Sequence, residues 1–126
     1  MYRLGVRKNF IAQHFLIGGD WGAENSRHSH AYTIEVICGA RETDRHNYLI
    51  DIVDLEKAMN EVIGRFSDRL LNDLPEFNKT NPSLELFAKV IHGALQPAVT
   101  ALKVESFTVT LWENDSCWAA YVEDSV

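Results

Sequence analysis

Cysteine is scarce in this 126-residue chain: Cys38 and Cys117 are the only two, and they form no C-x-x-C pair. That excludes a disulfide framework and fits a reducing compartment. Both thiols are expected to be packed rather than reactive. Positive charge is also short, with 12 Lys and Arg against 18 Asp and Glu and a formal net charge of -6. A nucleic-acid surface needs clustered basic charge, so nucleic acid is not an expected partner. No stretch approaches the roughly 18 consecutive apolar residues of a membrane span, and the opening MYRLGVRKNF lacks the apolar run of a signal peptide. The reading is a soluble, cytoplasmic protein with no membrane partner. No low-complexity segment, linker or motif repeat divides the chain, and its length suits one domain, residues 1–126.

What is present is clear periodicity. Over residues 2 to 16, Tyr2, Leu4, Val6, Phe10, Ala12 and Leu16 share one parity and Arg3, Arg7, Asn9 and Gln13 the other, which predicts a half-buried strand. Residues 30 to 39 repeat the pattern, with Tyr32, Ile34, Val36 and Cys38 on one face. The long, glycine-containing connection IGGDWGAENSR between them is of the kind that carries function. From Asp51 the period changes: Ile52, Leu55, Met59, Val62, Ile63 and Phe66 form an amphipathic helix, with Asp51 as its cap and Asp54 favoured in its first turn. A second helix is predicted from Asn81 as N-cap and Pro82 as first helical residue, with Leu84, Phe87, Ala88, Ile91 and Leu95 on its apolar stripe and Pro97 at its end. The run VESFTVTLWE alternates again, and NDS turns the chain into CWAAYVE.

The order strand, strand, helix, helix, strand, strand predicts an α+β fold, an antiparallel sheet with two helices on one face. Such a sheet has two open edges, which need covering. Self-association that continues the sheet into a closed barrel is one solution, so a homo-oligomer is expected.

The chemistry gathers on the covered face. His28 and His30 are two apart on a strand and project together with Tyr32, Ile34 and Val36, while His14 shares the parity of Phe10 and Ala12. Two readings stand on spacing alone. Three neutral imidazoles suit zinc, which in catalytic sites takes three protein ligands at about 2.0–2.1 Å and keeps one position open; or the H-x-H is incidental and His14 is a hydrogen-bonded core residue. His46 and His92 have no such companions and read as structural. Glu113 shares parity with Phe107, Val109 and Leu111. Either the strand ends there and Glu113 faces solvent, or the carboxylate awaits a ligand edge carrying adjacent N–H donors, because a carboxylate on an apolar face must be paired.

The motifs FIAQH, HSHAY, YLIDIVDLEKAM, LLNDLPEFNKTNPSLELFAKVI and LWENDSCWAAY run in order over nearly the whole chain. Together they resemble the family of 6-pyruvoyl-tetrahydropterin synthase and 6-carboxy-tetrahydropterin synthase, with its F-x-A-A-H, H-G-H-x-Y and N-P-T-x-E patterns. The resemblance implies the tunnelling fold, in which three chains close a twelve-stranded barrel and two trimers stack into a hexamer. It also implies that His14, His28 and His30 bind Zn2+ and that Glu113 holds the amino-pyrimidine edge of a pterin.

The sequence departs from the family in two places. Where family synthases carry a cysteine four residues before the first histidine of H-x-H, this chain has Glu24. Where they carry an Asp-His pair, an ungapped match puts Ser67 and Asp68, and a one-residue gap puts Asp68 and Arg69. A glutamate in the cysteine's place resembles the subgroup that substitutes for dihydroneopterin aldolase in folate synthesis. The implied function is a zinc-dependent pterin lyase converting 7,8-dihydroneopterin, or its phosphate, to 6-hydroxymethyl-7,8-dihydropterin, with Glu24 as base and Asp68 as the next catalytic candidate. The alternatives are a 6-pyruvoyl- or 6-carboxy-tetrahydropterin synthase using dihydroneopterin triphosphate, and a paralogue that binds zinc or pterin without turnover.

Overall fold

A computed structural model describes residues 1–123. β1 (Tyr2–His14) and β2 (His28–Ala40) pair antiparallel over their full 13 residues, from Tyr2 opposite Ala40 to His14 opposite His28. The chain then leaves the sheet for α1 (Ile52–Phe66) and α2 (Leu84–Ala101), and returns as β3 (Ser106–Trp112) beside β2 and β4 (Trp118–Glu123) beside β3. The sheet order is β1-β2-β3-β4, all antiparallel, with α1 packed toward β1 and α2 against β3 and β4. This is the predicted α+β layer, and the NDS turn is present: Asn114 Oδ1 accepts from the backbone N–H groups of Ser116 and Cys117, both at 2.8 Å.

Alternation determines the core. Phe10, Ala12, Tyr32, Ile34, Val36, Cys38, Phe107, Val109 and Leu111 are buried between sheet and helices. Burial pushes the Cys38 thiol up to about 11. Phe87 of α2 is the centre of an aromatic cluster, its ring 5.9 Å from Phe10, 5.2 Å from Tyr32, 5.2 Å from Phe66 and 5.5 Å from Phe77, each near edge-to-face. The outer face is polar, with Arg7 paired to Glu35 and Thr33 hydrogen-bonded to Asn9.

Four boundary expectations need correction. β1 ends at His14 rather than Leu16, because both backbone groups of Phe15 are taken by the Asn72 carboxamide, at 3.0 Å each. α1 is capped by Asp51 as expected, but its apolar stripe begins at Leu55: Ile52 stays exposed, and buried Ile50 fills the core at that end. The cap of α2 is Ser83, whose Oγ accepts from the Leu86 N–H at 3.1 Å, while Asn81 accepts from the Ile17 N–H at 2.7 Å. Pro97 lies inside α2, which continues to Ala101. The missing N–H falls on the exposed side, where water can meet the Gly93 carbonyl, and burial of Leu95 and Val99 holds the last turns on the core.

The two edges differ. Ile11 O accepts from the Asp68 N–H at 2.6 Å and the Gln13 N–H donates to Arg69 O at 2.9 Å, so the segment after α1 covers the end of β1 nearest His14. Among the described residues nothing pairs with the rest of that edge or with the outer edge of β4. No helix among the described residues is long and apolar enough to cross a membrane.

His92 is buried in α2, stacked on Phe107 at 3.8 Å between ring centroids, with Nε2 3.6 Å from a Glu123 carboxylate oxygen. Burial lowers its pKa, outweighing the opposing pull of Glu123 and of the Phe107 backbone. A depressed histidine takes its proton more readily unfolded, so its contribution to stability is present above the ordinary value of 6.5 and is lost as pH falls below it. His92→Phe keeps the stack and removes the titration. Urea unfolding at about pH 7 and about pH 5 should therefore give a smaller acid-side loss of stability in the variant than in the wild type; equal losses would remove His92 from the linkage.

Candidate active site

The end of the β1–β2 ladder builds the site. His14 and His28 face each other across the pair, and His30, opposite Ala12, lies one side-chain repeat further on the same face. The three rings stand mutually edge-to-face, with centroids 4.5, 4.8 and 4.9 Å apart. The ring of His30 is 5.7 Å from that of Tyr32.

Backbone carbonyls assign the imidazole tautomers of two rings. His14 Nδ1 lies 3.1 Å from the Pro82 carbonyl and His28 Nδ1 lies 2.8 Å from the Ser26 carbonyl. A carbonyl only accepts, so each Nδ1 carries its proton and each Nε2 presents a lone pair inward. Both Nε2 atoms are buried without a hydrogen-bond partner. Orphaned acceptors converging on one point, with the opposite nitrogens held by carbonyls, are the arrangement that metal-binding histidines require. The pKa of His14 is lowered, first by burial and then by the neighbouring His28 and His30, against opposing contributions from Pro82 and Glu24. That keeps its imidazole neutral and its lone pair free.

The loop of residues 15–27 brings in the fourth group. Glu24 sits in a short turn of 3-10 helix, Gly22–Asn25, its carbonyl accepting from the Leu16 N–H at 2.9 Å. Asn25 ties the loop to itself, donating to Leu16 O and Gly19 O and accepting from the Trp21 N–H. Asn72 and Asn81 fasten the loop's start to the segments before α2. The Glu24 carboxylate thereby reaches 2.6 Å from His28 Nε2 and 4.0 Å from His14 Nε2. One donor atom from each of His14, Glu24, His28 and His30 lies within 4.8 Å of all the others, a group able to hold a metal ion.

Glu113 follows β3 directly, at the level of Tyr32, since Trp112 pairs with Thr33. It is half-buried and its N–H donates to Cys117 O at 3.1 Å. The pKa of Tyr32 is raised, by burial first and then by the charges of Glu113 and Glu24, and its hydroxyl lies 3.5 Å from His14 Nδ1. Tyr32 therefore keeps its proton and can only donate to an anion there. Asp68 lies outside the histidine group, exposed beside Ile11 at the β1 edge with a left-handed φ of 61°. The roles of the Ser26 and Pro82 carbonyls and of Asn72 are not readable as periodicity. Asn72 and Pro82 were visible only as members of the LLND and Asn-Pro motifs, and nothing marked the Ser26 carbonyl.

An antiparallel sheet covered by two helices, with three histidines and a carboxylate gathered at one end of its first hairpin, defines a class of small-molecule enzyme built around a candidate metal centre. The sequence profile of 6-pyruvoyl tetrahydropterin synthase matches residues 3–124. The chain belongs to the 6-pyruvoyl tetrahydropterin synthase family, and so is a pterin-metabolising synthase or lyase. Among solved structures it is similar to 6-pyruvoyl tetrahydropterin synthase from Caenorhabditis elegans, at 20% identity and a TM-score of 0.81, covering 97% of this chain and 95% of that one. A Plasmodium vivax 6-pyruvoyltetrahydropterin synthase, a variant in which a glutamate called a catalytic residue is replaced by alanine, matches at 17% identity and a TM-score of 0.81 over 98% of both chains. The Plasmodium falciparum enzyme matches at 15% identity and a TM-score of 0.78 over 98% of both. No curated protein matches by sequence.

Truncating one imidazole tests the cluster as a metal centre. Protein purified without added metal should carry about one metal ion per chain, and His28→Ala should lose most of it, since the site loses the imidazole that stands closest to Glu24 and keeps two imidazoles and a solvent-facing carboxylate. Elemental analysis of both proteins is the measurement; equal metal content would take His28 out of the site.

Proposed function

We propose that the chain is a zinc-dependent pterin lyase that converts 7,8-dihydroneopterin, or its phosphorylated form, to 6-hydroxymethyl-7,8-dihydropterin. The observation that carries this reading is the Glu24 carboxylate, 2.6 Å from His28 Nε2 at the position where the resemblance sets a cysteine in family synthases. His14, His28 and His30 would hold Zn2+, a fit supported by their all-nitrogen donor set and by the orphaned Nε2 atoms of His14 and His28. When bound, zinc supplies Lewis acidity to the oxygens of the substrate side chain.

The protein's own groups supply the rest. Glu113 accepts the paired N–H donors of the amino-pyrimidine edge and so sets the pterin in register with the histidines. Tyr32, held neutral chiefly by burial, keeps its hydroxyl 3.5 Å from His14 Nδ1 and so backs that imidazole. Glu24 accepts the 2′-hydroxyl proton, and the C1′–C2′ bond then breaks in retro-aldol fashion. Its electron pair is drawn into the ring imine, a two-carbon aldehyde leaves, and a proton returns to C1′. Glu24 is 49% exposed, so it meets substrate arriving from solvent while His14 stays sealed behind it. That the Plasmodium vivax relative has a glutamate called a catalytic residue supports giving a glutamate a catalytic role here.

The same reading includes a homo-oligomer, trimer or hexamer, supported by unpaired stretches on both edges and by exposed Tyr2, Trp118 and Val122 on the edge strands. It places the protein in the cytoplasm, where free Cys38 and Cys117 stay reduced. A second reading, production of a 6-pyruvoyl- or 6-carboxy-tetrahydropterin from dihydroneopterin triphosphate, is favoured by the names of the relatives.

Chromatography of products from dihydroneopterin and from its triphosphate separates the two: hydroxymethylpterin supports the lyase, a pyruvoyl or carboxy product the synthase, and no turnover a binding paralogue. In protein saturated with zinc, Glu24→Gln should lower turnover by roughly 10²–10⁴-fold with pterin binding preserved. If that variant cleaves like the wild type, the base lies elsewhere and Asp68 is next in line. Glu113→Gln should weaken pterin binding, read by fluorescence titration, while metal content stays the same. Unchanged affinity would make Glu113 an ordinary strand end.

A further inference from the structure

We propose that Glu24 is a displaceable fourth ligand of the metal centre: it closes the site in the resting protein and is freed to act as a base when the substrate's side-chain oxygens take its place. The inference rests on the lyase reading for what displaces the carboxylate, and on the geometry alone for the ligation.

Three observations carry it. First, a Glu24 carboxylate oxygen lies 2.6 Å from His28 Nε2, a buried nitrogen that makes no hydrogen bond, while Nδ1 of the same ring is held 2.8 Å from the Ser26 carbonyl. A carboxylate oxygen and an imidazole nitrogen this close need a cation between them, a proton or a metal ion, and the donor atoms of His14 and His30 gathered around the same point favour the metal. Second, two donors bound at about 2.0–2.1 Å to one tetrahedral zinc stand about 3.3 Å apart. The Glu24 oxygen is 2.6 Å from one Nε2 and 4.0 Å from the other, values that straddle that separation, and all four donors lie within 4.8 Å. Third, the four donors are mounted differently. The histidines come from the paired ends of β1 and β2, and His14 is buried, whereas Glu24 stands on a 3-10 turn with no buried residue and is 49% exposed. The carboxylate therefore occupies the side facing solvent, from which a substrate must come, and a rotation of its own side chain releases it without moving a strand.

Charge favours both states. Three neutral imidazoles leave a bound dication uncompensated, and one carboxylate halves that charge when no substrate is present. Once substrate oxygens replace it, Glu24 remains beside the hydroxyl whose proton it is to accept. Resting tightness and catalytic readiness then belong to one side chain.

The test uses cobalt(II) in place of zinc, because its visible absorption reports ligand number and type without turnover. Wild type, Glu24→Gln and Glu24→Ala are loaded with Co2+, spectra are taken with and without neopterin, and zinc affinity is measured by chelator competition. Ligation predicts that both variants differ from the wild type in the absence of neopterin, that zinc affinity falls roughly 10–100-fold or more, and that neopterin shifts the wild-type spectrum far more than the alanine variant's. Identical spectra and affinities in all three proteins would overturn the inference, leaving an ordinary carboxylate beside an imidazole. A wild-type spectrum that neopterin leaves unchanged while the variants differ would overturn displacement. These readouts are independent of the product assay: a pyruvoyl product with Glu24 ligation intact sinks only the lyase reading, and inactive Glu24→Gln with unaltered spectra sinks only the ligation.

Discussion

The chemistry of this molecule depends on a single register. β1 and β2 pair so that His14 faces His28 and Ala12 faces His30, and that pairing sets three imidazoles on the covered face within 5 Å of one another. Because successive strand residues point to opposite faces, a slip of one position would turn all of β1, His14 included, outward. The same parity buries Phe10, Tyr32, Ile34 and Val36. The hydrophobic free energy that fixes the core thus fixes the site as well, and neither can change register alone.

The loop between the two strands is secured by polar groups from far along the chain. Asn72 takes both backbone groups of Phe15, Asn81 takes the N–H of Ile17, and the Pro82 carbonyl orients His14. These residues lie between α1 and α2, where the chain crosses the open end of the sheet in two short 3-10 turns. The crossing is not a passive connection. It ends β1 at His14, carries the turn that bears Glu24, and fixes the tautomer of a buried imidazole, so disruption between the helices would reach the site without touching a donor atom.

Burial and exposure divide the work within the site. His14 is sealed and kept neutral by desolvation and by its neighbouring rings, and Tyr32 is held protonated by burial first and then by the charges of Glu113 and Glu24. Glu24 remains half in solvent. A buried floor with a solvent-exposed acidic rim is an arrangement that could hold a cation and still leave a polar side open to solvent.

By itself the sequence determined the element order, the face of each strand and the membership of His14, His28 and His30 in one group, because side-chain parity is a local property of an extended chain. Motifs in fixed order along the chain carried the family, and with it the candidate roles of Glu24 and Glu113. Where local chemistry had rivals, local reading failed. Asn81 and Ser83 were both competent caps, and only the approach of the Ile17 backbone decided that Asn81 would serve the loop. Pro97 ordinarily ends a helix, and only the burial of Val99 carried α2 past it. Asp68 belonged to a candidate motif, yet hydrogen bonding of its backbone to Ile11 sets it at the sheet edge, outside the histidine group. Nothing in the local pattern around Glu24 placed its carboxylate against His28 Nε2: that distance depends on how a 13-residue loop closes between two paired strands, and loop closure is decided by contacts from elsewhere in the fold.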